Sequence, residues 1–396
     1  MITDRLARSL DLLDEAADIL RERVTSPEVP DWCAKRGWAP FLLGLDDQEL
    51  EQAEHLGLGT VVGARGDAPT SLRAFIAETQ ALGEAFGPPP APVEAVRKRR
   101  TSKRKSAQVH ALAKLAAEVF SQPTRIVDVG AGHGHLTRAL ADALGAPAVG
   151  LDRDASRVET ARTWKDRTTT FERWDGRVTP LHFNAGELAV GLHACGDLGD
   201  LLVKRAAEAK ADVLLVSCCL QKVDGEARLP LSTLGKERGF VVPRALLGLA
   251  NLSTRAVGVE QSTASIMKGR RTRHALRLLL EARGVPCPAG DESRGINRRR
   301  MGHGLAAVAG QALSDRGLGA PTPSETEAVD AQADHEFPRI RRLSLPRAPL
   351  GRVLERAIVF DRAAALIEAG HETRIVVAWD ADESPRNLAI LGRAAP

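Results

Sequence analysis

The stretch Arg125-Ile126-Val127-Asp128-Val129-Gly130-Ala131-Gly132-His133-Gly134 sets an apolar strand directly before three glycines at alternate positions. An acidic residue, Asp152, follows eighteen residues after the last glycine. That order confines the chain to a strand, a tight loop and a helix whose N-terminus faces a ligand. Glycine lets the loop turn sharply and approach the ligand with no Cβ in the way. The helix is expected from about Leu136 to Leu144. Ala148-Val149-Gly150-Leu151 is expected as the second strand, with Asp152 at its end beside a ribose diol.

The spacing discriminates between cofactors. A dinucleotide fingerprint needs its third glycine at position 135, where this chain has His135. Gly-x-Gly-x-Gly preceded by Asp128 instead points to S-adenosylmethionine, whose carboxypropyl group and adenosine need a wider loop than a pyrophosphate. A nicotinamide or flavin site and a purely structural turn are the alternatives. Asp128, Gly130, Gly132 and Gly134 are expected to hold the methionine end, Asp152 the ribose, and Asn184, after the expected third strand, the adenine edge.

At 396 residues and 43% hydrophobic content, the chain can bury two sizeable cores. Met1-Ile2-Thr3-Asp4-Arg5 lacks a signal h-region, and no apolar run approaches the length of a membrane span. Five cysteines form no disulfide framework, so a cytoplasmic location is expected. The net charge of +4 is small, but the cations cluster. Arg97 to Lys105 holds seven in nine residues, Lys268 to Arg273 four in six, and Arg298 to Arg300 three in a row. Such runs can neutralise phosphates, and three of them around a methyl-donor fold favour RNA over a merely solvated surface.

Breakers organise the rest. Ile2, Leu6, Leu10, Leu13, Leu20 and Val24 recur at helical spacing, and Pro27 and Pro30 end that helix. Further apolar stripes to Phe86 predict a helical N-terminal domain over residues 1–92. Gly87-Pro88-Pro89-Pro90-Ala91-Pro92 reads as a stiff linker. A second domain over 98–396 is expected to carry strands at Ile126–Val129, Ala148–Leu151, Val178–Phe183, Leu188–Leu192 and Val213–Val216. These short apolar runs suit a parallel sheet buried on both faces. A helical insertion is expected over about 251–349, with a capping box at Ser324 and Glu327. A helix over about Val353–Ala369 and two closing strands, Arg374–Trp379 and Leu388–Leu391, complete an α/β, Rossmann-like, mostly parallel sheet with a closing antiparallel strand.

A second constellation, Gly191-Leu192-His193-Ala194-Cys195-Gly196-Asp197-Leu198, ends the fourth strand and is answered by Ser217-Cys218-Cys219 after the fifth. Ligands of open parallel sheets sit at the carboxyl ends of the strands, so both segments face the donor. Four readings stand. The cysteines are small, apolar core residues; His193 is a general base; a thiol such as Cys195 is a nucleophile toward a pyrimidine ring; or His193 and the cysteines hold a metal. No Cys-x-x-Cys spacing supports the last, and no metal is expected.

The glycine loop, Gly191 to Leu198, Cys218-Cys219 and Ser384-Pro385-Arg386-Asn387 together resemble the methyltransferase-like 25 family, which includes the ribosomal RNA adenine dimethylase domain-containing proteins. Trp38-Ala39-Pro40-Phe41-Leu42-Leu43-Gly44-Leu45 resembles that family's entry segment. The His-x-Cys-Gly element and the paired cysteines are also similar to the tRNA acceptor-stem 2′-O-methyltransferases. Where the family carries Met-Ser-Pro-Lys-Lys-x-His-Glu-Val, this chain has Thr101 to Val109. It keeps Lys105 and Val109 but not the proline, histidine or glutamate.

The resemblance implies a class I methyltransferase with RNA as the leading substrate class; tRNA or rRNA is the expected substrate, and His193 and Cys195, read from the strand-end segment, are the catalytic candidates. Adenine dimethylases place Asn/Asp-Pro-Pro-aromatic where this chain has His193-Ala194-Cys195-Gly196, which argues against methylation of an adenine amino group. A protein or small-molecule methyltransferase and a noncatalytic RNA-binding factor remain the alternatives. Neither the acceptor atom nor the oligomeric state follows from the sequence.

Overall fold

The computed structural model describes residues 1–82, 86, 103–164, 168–192, 194–217, 219–251, 263–381 and 383–395. Seven strands form one sheet: β1 (Ile126–Val129), β2 (Ala148–Asp152), β3 (Thr169–Arg173), β4 (Leu188–Leu192), β5 (Asp212–Val216), β6 (His371–Val377) and β7 (Leu388–Ala394). Their spatial order is β3-β2-β1-β4-β5-β7-β6. The first five are mutually parallel, whereas β7 runs antiparallel to both β5 and β6. This is the Rossmann-like, mostly parallel sheet with a closing antiparallel strand that the sequence predicts.

Alternation along each strand divides two cores, because successive side chains point to opposite faces. Ile126, Val190 and Leu214 pack under the helices Lys103–Val119 and His135–Leu144 through Leu112, Leu136 and Leu140. Val127, Ala189, Val213 and Leu215 meet the other face, covered by Leu202 and Val203 of Asp197–Ala209 and by Val359 and Ala363 of Arg347–Glu368. Helices on both faces leave only the strand ends open to a ligand.

Several local expectations shift. The run Val178–Phe183 is not a strand: Pro180 interrupts it, and Val178 is 82% exposed. The third strand is Thr169–Arg173, an edge strand with a single buried residue, Phe171. The first helix breaks at Ala16 into Ile2–Glu15 and Ala17–Arg21. The capping box falls at Thr322 and Glu325 rather than Ser324 and Glu327, with Pro323 in the first turn, where its missing N–H is no loss.

Residue contacts divide the chain into two compact units that cut across the expected 1–92 and 98–396 boundary. One unit gathers 1–15, 79–257 and 350–396 around the sheet. There Arg238 ties back to Asp11 and Asp14 of the first helix at 2.7 and 3.2 Å. The other gathers 16–78 and 258–349 and is helical throughout its described regular elements. Arg341 pairs there with Glu54 at 2.7 Å, and Arg342 donates to the Leu45 carbonyl at 2.9 Å. Such pairings between distant segments carry no local signature. The linker at 87–92 lies outside the described residues.

Within the sheet unit, three buried charged side chains, Arg228, Asp361 and Arg362, meet a half-buried fourth, Asp200. Arg228 donates to Asp361 at 2.8 Å and to Asp200 at 3.0 Å, and Arg362 donates to Asp200 at 2.8 Å. Asp361 also accepts from the Ser232 amide and hydroxyl and from the Leu231 amide. Burial pushes the Asp200 carboxyl up, but Arg362 and Arg228 outweigh it and hold the group below its usual range. Asp361→Asn strips Arg228 of a buried partner and should cost about 3–5 kcal/mol in urea unfolding. Glu372→Gln, at the exposed 3.8 Å pair with Arg393, should cost under about 1 kcal/mol. Equal losses would mean that the buried cluster is not a structural tie.

Candidate active site

Gly130, Gly132 and Gly134 all adopt left-handed backbone, with φ of 82°, 58° and 74°. At Gly134 the glycine is obligatory for a second reason: a Cβ would fall 2.3 Å from the Phe171 ring. Arg138 fastens the loop from behind. Its guanidinium lies 4.5 Å from the Phe171 ring centre and 5.2 Å from that of Trp164. It donates to the carbonyls of His133, Gly134, Ala161 and Trp164. Around Gly132, by contrast, no atom of the described residues lies within 4 Å of where a Cβ would stand, so the loop is open on that side.

Asp152 ends β2 and accepts hydrogen bonds from the Gly132 amide at 2.8 Å and the Asp154 amide at 2.9 Å. A carboxylate has about four acceptor sites, so two backbone partners leave capacity for a ligand diol. Asp128 behaves differently. It is 2% exposed, faces the helix His135–Leu144 and accepts from the Thr137 hydroxyl at 2.6 Å. It therefore buttresses the glycine loop from beneath rather than lining the space above it.

That space is a cavity of about 700 Å³ at the carboxyl ends of β1, β2, β3 and β4. Gly130, Asp152, Trp174, Asp175, Cys195 and Leu198 are among its lining residues. The volume suits a nucleoside-sized ligand. Among the described residues a Cβ at Gly130 would meet only Leu198, at 3.8 Å, so the glycine keeps the loop's ligand side low. Open glycines, an acidic strand end with spare acceptors and an indole at the next strand end together fit S-adenosylmethionine.

Asn184 is not in this group. Its side chain donates to Glu187, and Glu187 pairs with Arg125, immediately before β1. Asn184 thus lies at the amino edge of the sheet, opposite the cavity. Its expected place beside the adenine depends on a third strand at Val178–Phe183, which the fold does not have. The true third strand delivers Trp174 and Asp175 to the carboxyl edge, and these were missed because Thr169-Thr170-Phe171-Glu172-Arg173 has no apolar run to announce it.

On the other wall, Gly196 (φ 53°) presses against the Lys222 backbone, where a Cβ would fall 1.8 Å from the Lys222 carbonyl oxygen. The Asp197 amide donates to that carbonyl at 3.2 Å. Asp197 in turn accepts from the Asp224 amide at 2.6 Å. Arg362 donates to the Gly196 carbonyl at 2.9 Å and to the Ser217 hydroxyl, holding both strand-end loops. Cys195 is half-buried and lines the cavity. His193 and Cys218 lie outside the described residues, and no group of metal-ligating side chains occurs among the described ones.

The basic runs fare unequally. Arg271 pairs with Asp330 at 2.8 Å and with Asp334, so part of the Lys268–Arg273 run serves helix packing. Arg300, of the Arg298–Arg300 run, bonds Gln311 and the Ala307 carbonyl. Residues 97–102 lie outside the described residues, but the run ends in the helix Lys103–Val119.

Burial raises the Asp128 carboxyl to about 6, with the Thr137 hydrogen bond opposing and the Asp152 charge adding to the rise. The unfolded group titrates near 4. The folded chain therefore binds more protons between about pH 4 and 6, and stability falls as pH rises through that window. A two-unit rise corresponds to about 3 kcal/mol. Asp128→Asn keeps an acceptor for Thr137 and removes the titrating group. Its stability relative to the parent should rise by up to about 3 kcal/mol from pH 4 to 7 in urea unfolding, and parallel curves would contradict the assignment. Gly134→Ala should lose about 1–3 kcal/mol through the Phe171 clash.

A family profile described as a methyltransferase domain matches residues 104–226. Among solved structures, the YcgJ protein from Bacillus subtilis is 20% identical over 27% of this chain and 50% of that one, with a TM-score of 0.24. The plantazolicin methyltransferase BpumL in complex with SAH is 12% identical over 43% and 61% of the two chains (TM-score 0.23). The S-adenosylmethionine-dependent methyltransferase SibL is 15% identical over 46% and 56% (TM-score 0.23). This chain thus spans between half and two-thirds of the length of each. No described helix is long and apolar enough to cross a membrane. Residues 104–226, which match the methyltransferase-domain profile, carry the glycine loop, Asp152 and the walls of the cavity.

Proposed function

We propose that this chain transfers a methyl group from S-adenosylmethionine to RNA, with tRNA or rRNA as the leading substrate. The donor supplies an already activated, electrophilic methyl on its sulfonium sulfur. Gly130 and Gly132 leave room for the methionine end, Asp152 accepts from the ribose hydroxyls, and Trp174 and Asp175 flank the adenine side. Aligning acceptor and methyl in line then supplies much of the rate. His193, the residue after β4, takes the proton from the acceptor hydroxyl or amine as the new bond to carbon forms.

The observation that carries RNA is where the basic run ends. The run of seven cations finishes in the first turn of Lys103–Val119, and the Lys105 charge is felt by Asp128 at the carboxyl end of β1. A phosphate chain approaching the cavity would therefore meet Lys105. Arg153 and Lys222, on the cavity wall, make no ion pair among the described residues and extend the cationic path. Cys195 on the same wall supports a second reading, in which the thiol adds to a pyrimidine ring before methylation of its carbon.

Incubation of the protein with tritiated S-adenosylmethionine and total RNA, with a protein extract in parallel, tests this. Label should enter RNA, and nucleoside digestion should identify the acceptor. His193→Ala should slow transfer about 10²- to 10⁴-fold with donor binding intact. Gly132→Ala has space for its methyl group and should cost only about 1–2 kcal/mol of backbone strain, yet weaken donor binding measured by calorimetry. Label confined to protein would overturn the RNA reading, and no label in either would favour a small-molecule acceptor or a noncatalytic factor.

A further inference from the structure

The antiparallel register Val216↔Ala389 brings the turn Ser384-Pro385-Arg386-Asn387 beside the end of β5, at the same carboxyl edge as the cavity. The helix Arg347–Glu368 runs beneath it. Leu366 packs by Gly392, toward the amino end of β5, while Arg352 donates to the Pro385 carbonyl at 2.8 Å. The early turns of this helix therefore lie at the carboxyl edge. There Glu355, itself buried, is engaged by both Arg352 and Arg386. Arg356, one helical turn beyond Arg352, makes no hydrogen bond among the described residues, and its Nε is buried without an acceptor.

We propose that Arg356, with Arg352 beside it, is a phosphate-binding subsite for the acceptor strand. Arg356 is half-buried with its Nε shut off from water and lacking an acceptor, which is costly to keep, and an anion arriving with a ligand resolves that cost. Guanidinium groups match phosphate oxygens in a bidentate fork, so two neighbouring arginines suit a phosphodiester better than a point charge would. The location fits an acceptor: six residues, about 9 Å of helix, separate Arg356 from Arg362. Arg362 bonds the Gly196 carbonyl, next to the cavity-lining Cys195. The subsite would hold a phosphate flanking the reacting nucleotide while Glu355 and Arg386 orient Arg352. Burial and the neighbouring Arg352 charge lower the Arg356 pKa to about 10, leaving it cationic at neutral pH.

This assignment rests on RNA as the acceptor, and its test separates the two. The full chain, Arg356→Gln and Arg356→Lys would be titrated with a fluorescent decauridylate across a salt series, and separately with inorganic pyrophosphate, followed by thermal unfolding. The parent should bind decauridylate about tenfold more tightly than Arg356→Gln. Its salt slope should be steeper by about 0.7, the value of one single-strand phosphate contact. Arg356→Lys should keep the slope and recover part of the affinity. A parent that ignores decauridylate but is stabilised by pyrophosphate, with the effect absent in Arg356→Gln, would support the subsite while overturning RNA. Equal responses of parent and Arg356→Gln to both probes, or none from either protein, would overturn the subsite.

Discussion

The charge cluster of Asp200, Arg228, Asp361 and Arg362 is the tie on which the site depends. Its members come from two helices packed on the same face of the sheet, Asp197–Ala209 and Arg347–Glu368, and from the short strand Ala227–Arg228; Asp361 and Arg362 are fully buried. Each acid is met by at least one guanidinium, so the group escapes the penalty of an unpaired buried charge. Arg362 then spends its remaining donors on the Gly196 carbonyl and the Ser217 hydroxyl. The loops after β4 and β5 are thereby positioned by electrostatics from behind, which leaves their outer surfaces available for chemistry.

On the opposite side of the cavity, packing does the same work. The glycine loop is wedged between Phe171 and Arg138, and Asp152 pins its middle through the Gly132 amide. Asp128 lies beneath, holding the start of the helix through Thr137. Two acids that look equivalent in the sequence thus divide their tasks by exposure to the cavity: Asp152 meets the ligand space, and Asp128 meets the core. One wall is set by buried charge and the other by sterics around glycine, so both are rigid before any ligand arrives.

The expectations that failed share a physical cause. Val178–Phe183 resembles a strand in apolar content, but Pro180 cannot donate to a ladder. The real third strand needs only Phe171 as an inward anchor because it lies at the sheet edge and is solvated on its other side. The misplaced strand then carried Asn184 to the wrong end of the sheet and left Trp174 and Asp175 unread. The contact units also depart from the expected division. A proline-rich linker marks a break in the chain, but it does not say which segments pack together, and 16–78 groups with 258–349 through contacts between residues hundreds of positions apart.

What the sequence determined by itself is the part governed by short-range physics. Periodicity announced the buried strands β1, β2, β4 and β5. Alternate glycines announced the left-handed loop, and Asp152 announced an acid at the next strand end. Tertiary structure alone decided which acid faces the cavity, which basic residues are consumed by ion pairs, and which distant segments share a core. It also left Arg356 without a buried partner at the edge where an acceptor would arrive. Those outcomes depend on what packs against each side chain from far along the chain. Burial and pairing energies are set by that environment, which local sequence does not encode.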